Sequence, residues 1–226
     1  MIKRWPEAVL GAAALLIIPI ALPSFLTDVR LTDAHLIRWN AERNVDLNEV
    51  TLRRASLRYE EAARHSGADP LNWERSALLA MLAAEASGQT GELGIVRQNL
   101  IRSAMLAPSH GTVWTRLVYV DYLAGNLDEK SYRAWRMASL TSRLEFDEMK
   151  IRLWLGLLRW PDLPPDIKVD LVSIGKMLWS GNASARKGMA GVYKSLPEIS
   201  RARINLLLPN AEKDIPALEA LARSLP

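Results

Sequence analysis

The chain has 226 residues, of which 49% are apolar and 24% charged, with a formal net charge of +4. That length suits one membrane segment plus one domain, and the composition excludes a disordered tail. Cysteine is absent and the three histidines (His35, His65, His110) include no i, i+4 pair, which excludes a disulfide scaffold, a thiol nucleophile and the usual zinc ligand patterns.

The first feature in chain order is an uncharged run from Ala8 to Thr27. At about 1.5 Å rise per residue, such a run forms a helix of roughly 30 Å, the thickness of a bilayer core. Residues 1–27 read as a short tail and a transmembrane anchor, with residues 8–26 in lipid. A cleaved signal peptide is the rival, because Lys3 and Arg4 precede the apolar stretch Ala8 to Ala21. The run lacks a clean small-x-small cleavage site, which favours the uncleaved anchor. Lys3 and Arg4 adjoin the run more closely than Arg30, Arg38 and Arg43 do, so the tail is expected inside and the domain outside the cytoplasm. The corresponding location is a bacterial inner membrane with a periplasmic domain.

Residues 28–47 mix charge with short apolar stretches, give a weak helix signal and read as a juxtamembrane linker. Residues 48–226 read as one helical domain. Helix stops punctuate it at Gly67 to Pro70, Ser87-Gly88, Pro108-Ser109, Gly125-Asn126, Pro161 to Pro165, Gly181-Asn182, Pro197 and Pro209-Asn210. No span alternates strictly as a strand would. In 48–65, Leu52, Ala55, Tyr59 and Ala62 share one helical face, and Glu60 stands four residues before Arg64 as a surface pair. In 146–160 there are two apolar stripes. One is Phe146, Met149, Leu153, Leu157 and Trp160; the other is Ile151, Trp154, Leu155 and Leu158. A helix apolar on two sides is predicted to be sandwiched between neighbours.

The domain also repeats itself. Trp73-Glu-Arg75 followed by Leu82-Ala83 returns as Trp114-Thr-Arg116 followed by Leu123-Ala124, an offset of 41. Arg102-Ser-Ala104-Met-Leu106 returns as Arg136-Met-Ala138-Ser-Leu140 at an offset of 34. Seven extra residues in the first unit reconcile the two, and the Gly-rich stretch Ser87 to Gly94 is their expected place. Each unit is then helix, turn, helix, and residues 69–142 resemble the tetratricopeptide family. Trp114, Leu117, Trp135 and Ala138 match family positions in the second unit, and Trp73, Ala77, Ile101 and Ala104 in the first. Val118, Asp121 and Ser76 depart from the pattern. The resemblance implies a helix-turn-helix α-solenoid with Trp114 in its core; with the uncharged run, the expected fold is all-α, an N-terminal transmembrane helix followed by that solenoid. A compact helical bundle without repeats is the alternative.

No phosphate loop, dinucleotide fingerprint, nucleophile elbow or metal-ligand cluster is present, so no cofactor and no catalytic residue are assigned. Ser109-His110 reads as a helix cap rather than part of a triad. Glu145 and Glu148 open a helix and complement its positive end, and do not read as an acid/base pair. Trp154, Trp160 and Trp179 could stack on sugars, but core packing accounts for them better. Without Lys3, Arg4 and Glu7 the net charge is +3, carried by interspersed residues; nucleic acid is not an expected partner.

The function that follows is a membrane-anchored scaffold, or an accessory subunit, that binds protein partners at the membrane. The resemblance places the first helix of each unit along the groove and nominates Thr115, Tyr119 and Tyr122 as partner-binding residues. An anchored solenoid of this kind looks like the accessory proteins of bacterial envelope complexes, polysaccharide synthesis or export among them. The rivals are a permanent structural subunit of a membrane complex, packed through Gly11 to Ala14, and a glycan-acting enzyme using paired carboxylates beside exposed tryptophan.

Overall fold

The computed structural model describes residues 21–22, 25–43, 45–66 and 69–225. Lys3, Arg4 and residues 8–20 of the uncharged run lie outside the described residues. So do Gly67 and Ala68 of one expected helix stop. No helix among the described residues is long and apolar enough to cross a membrane. Every regular element among them is a helix and none is a strand, as the spacing of stops predicts. The chain divides after Leu106 into two compact units.

The first unit contains a helical stretch at 25–30 and then α1 (Thr32–Glu42), α2 (Glu49–Ser66), α3 (Pro70–Ser87) and α4 (Leu93–Leu106). The weak periodicity of 28–47 therefore belongs largely to helix. Local chemistry sets the ends of α3. The Asp69 carboxylate accepts the Leu71 amide at 2.9 Å, Pro70 occupies the first turn, and Gly88 closes the helix at a φ of +67°. Leu52, Ala55 and Tyr59 of α2 pack on Leu31, Ala34, Leu79 and Ala83, with Ala62 at the margin, so the predicted stripe is the core face. On the outer surface Arg64 donates to Glu60 at 2.5 Å, the pair expected from its spacing.

Ser76, which departs from the repeat pattern, is buried in a polar seam. The Ser56 hydroxyl donates to the Ser76 carbonyl at 2.8 Å, and the Asn99 amide donates to the Ser76 hydroxyl at 3.3 Å. A leucine there would leave the buried Asn99 amide of α4 unmatched. The expected seven-residue insertion is mostly helix rather than loop. α3 has 18 residues against 13 for the corresponding helix of the second unit, while segments 88–92 and 124–128 are equally long.

The second unit contains α5 (Gly111–Leu123), α6 (Glu129–Thr141), α7 (Phe146–Arg159), α8 (Pro165–Ser180), α9 (Ala183–Ser195), α10 (Glu198–Arg201) and α11 (Ala211–Ser224). The cap of α5 is His110, so Ser109 lies one residue outside the position expected for it. A capping box starts α6: Asp128 accepts the Lys130 and Ser131 amides, and the Ser131 hydroxyl accepts the Asp128 amide. The same hydroxyl lies 2.7 Å from Asp121 Oδ2, which gives the buried Asp121 carboxylate a partner at a position where the family has an aromatic. Gly111 is required by close approach, since a Cβ there would lie 2.3 Å from Ser142 Cβ and 2.8 Å from its backbone nitrogen.

The α7 helix packs between neighbours, but only its first predicted stripe is a core face: of the second, Leu155 is buried, Trp154 and Leu158 are half-buried and Ile151 is exposed. Met149, Leu153, Leu155 and Leu157 are buried, whereas the end residue Phe146 is exposed. Trp135 of α6 and Ala138 are wholly buried. Trp114 is only half-buried, with its indole N–H donating to the Pro108 carbonyl at 2.8 Å. The deep tryptophan of this unit is therefore Trp135.

Candidate functional site

Tyr119 and Tyr122 lie one turn apart on α5, where i, i+3 spacing brings side chains onto one face. Their rings stack at a centroid distance of 6.4 Å with 24° between planes. Trp154 of α7 completes the group, 6.3 Å from Tyr119 and 5.7 Å from Tyr122, edge-on to the latter. All three rings are half-buried, so the cluster is anchored in the fold yet presents aromatic surface to solvent. Such rings combine an apolar body with a polar tip, a combination common at recognition surfaces.

Thr115 does not join them. It is wholly buried one turn earlier on α5, beside the carboxyl of Glu148. The expectation that Thr115 lines a groove is thus corrected: it shares a helical face with Tyr119 and Tyr122, but that face is covered at Thr115 and opens only further along α5, at the two tyrosines. The platform of Trp154, Trp160 and Trp179 is not assembled, because no ring contact joins these three among the described residues. Trp160 instead has the Lys168 ammonium 5.9 Å from its ring.

The α7 helix also carries two buried charges that the sequence pattern did not mark. Arg152 is wholly buried; it donates to the Ser139 hydroxyl at 2.9 Å and to the Ser142 carbonyl at 3.1 Å. Ser139 in turn donates to Asp170 at 2.6 Å, linking Arg152 to a carboxylate 3.9 Å away. Glu148, one turn before Arg152, is buried with Oε2 unpartnered. Burial pushes its carboxyl above the ordinary value of 4.5, while the Thr115 hydroxyl, Arg116 and Thr112 pull it down less strongly.

A raised folded value means that ionising Glu148 weakens the fold. Its contribution is complete below the unfolded value of 4.5 and is lost as pH rises through the folded value. Glu148→Gln is therefore expected to raise the urea midpoint near pH 7 and to match the parent chain near pH 4. Equal midpoints at both pH values would mean that the carboxyl is already relieved by its neighbours.

Among the described residues no group of three histidine, aspartate or glutamate side chains is placed to hold a metal ion. Compared with known proteins, the chain matches no family model, no curated protein and no solved structure.

Proposed function

We propose that the chain is a membrane-anchored helical-repeat protein of tetratricopeptide type that binds a protein partner through the aromatic face of its second unit. The half-open cluster of Tyr119, Tyr122 and Trp154 carries this reading. The three rings are held by their helices, so little side-chain entropy is lost on binding, and tyrosine and tryptophan dominate interface energetics. The uncharged run over residues 8–26 supports an anchor in the inner membrane, with residues 28–226 outside the cytoplasm. A scaffold or accessory role in an envelope complex, such as one for polysaccharide synthesis or export, follows by analogy with anchored solenoids.

The test is to replace Tyr119 and Tyr122 together with alanine and to measure both the thermal midpoint and the recovery of cross-linked partner from membranes. Each ring is expected to contribute about 1–2 kcal/mol to binding, so capture should fall at least about tenfold while the variant stays folded. A folded variant with unchanged capture would locate the interface elsewhere.

A further inference from the structure

We propose that the cleft between the helical stretch 25–30 and α2 holds the phosphate of an anionic phospholipid headgroup. The inference rests on the anchor reading of residues 8–26 and deepens it. A cavity of about 340 Å³ opens there, lined by Thr27, Arg30, Arg58, Glu61 and His65 among others. A second cavity of about 260 Å³ adjoins it through Arg58 and adds Asp33, Leu36 and Arg54.

The charges fit an anion. Arg30 and Arg54 have no ion-pair partner among the described residues, and Arg58 reaches only the exposed Asp33, at 3.1 Å. Glu61 is the opposing acid of the larger cavity, and its backbone carbonyl accepts from His65 Nδ1 at 2.8 Å. Arg30 and Arg58 line the larger cavity and Arg54 and Arg58 the smaller, and planar guanidinium N–H forks can grip a phosphate with two bonds at once.

The apolar surroundings select a lipid over free phosphate. Leu22, Leu26, Val29, Leu36 and Trp39 are all exposed, and in the sequence they fall at helical spacing interrupted by Asp33. This series continues directly from the uncharged run that ends at Thr27. A headgroup brings its own acyl chains to cover such residues, whereas inorganic phosphate leaves them in water. Trp39 carries the Arg43 guanidinium 4.3 Å above its ring, a pair suited to the boundary between acyl chains and headgroups.

The experiment uses the full chain. Its flotation with phosphatidylcholine vesicles checks the anchor, and native mass spectrometry of the detergent-purified chain counts retained phosphatidylglycerol against equimolar phosphatidylcholine. The expected result is flotation together with a preference for phosphatidylglycerol of about tenfold or more. The triple variant Arg30→Gln/Arg54→Gln/Arg58→Gln should float equally well, keep its far-UV spectrum and lose that preference. Glu61→Gln removes the opposing acid and should increase it. Flotation with equal retention of both lipids overturns the headgroup site and leaves the anchor standing. Failure to float overturns the anchor and the site together. Displacement of bound phosphatidylglycerol by millimolar inorganic phosphate would make this a site for the free anion and overturn the lipid assignment.

Discussion

Trp135→Ala is expected to lower the stability of the chain by about 3–5 kcal/mol. The ring is wholly buried, so its removal leaves a cavity in the core of the second unit. Its indole nitrogen has no hydrogen-bond partner, so the loss comes from apolar contact and cavity formation rather than from a broken polar link. Urea unfolding followed by far-UV ellipticity measures the effect without relying on the fluorophore that is removed. Trp114→Ala is the control. That ring is half-exposed and tied only to the Pro108 carbonyl, so its loss should be about 1–2 kcal/mol. Equal losses for the two variants would show that Trp114 bears as much of the packing as Trp135.

Arg152→Ala is expected to cost roughly 3–5 kcal/mol, because it removes one member of a buried charge network and strands the rest. The Ser142 carbonyl and the Ser139 hydroxyl would lose their donor, and the electrostatic support for Asp170 and Glu148 would go with it. Burial pulls the Arg152 guanidinium down from its ordinary value, and Asp170 and then Glu148 act in the opposite direction. The two α7 charges are therefore coupled. Adding Glu148→Gln to Arg152→Ala should recover part of the loss, because the neutral amide needs no cation nearby. Strict additivity of the two substitutions, measured by a double-mutant cycle in urea, would show that Glu148 does not sense Arg152.

The helical architecture was legible because its signals are local. Asp69-Pro70, Gly88, Asp128 and Asn182 cap or terminate helices through hydrogen bonds and backbone preferences within a few residues of themselves. The core stripe of α2 and the first stripe of α7 were equally legible, since each has apolar positions at a clear spacing; the second stripe of α7 was not, because Ile151 stays exposed. Tyr119 and Tyr122 were nominated from the sequence, but their junction with Trp154 was not, because it depends on how α5 and α7 approach each other.

By itself the sequence determined the all-α class, most of the helix ends and the faces of helices with one apolar stripe. The tertiary structure alone decided the rotation of α5, where Val113, Trp114, Leu117, Val118, Tyr119, Val120 and Tyr122 make the helix apolar nearly all round. With no polar face to orient it, neighbouring positions about 100° apart compete for the interior, and packing put Thr115 inside and left Trp114 half-exposed. It alone also decided that Arg152 and Glu148 are buried. A charged residue between two apolar stripes can point to water or inward, and for Arg152 the choice turned on partners at Ser139, Ser142 and Asp170 that lie 13, 10 and 18 residues away.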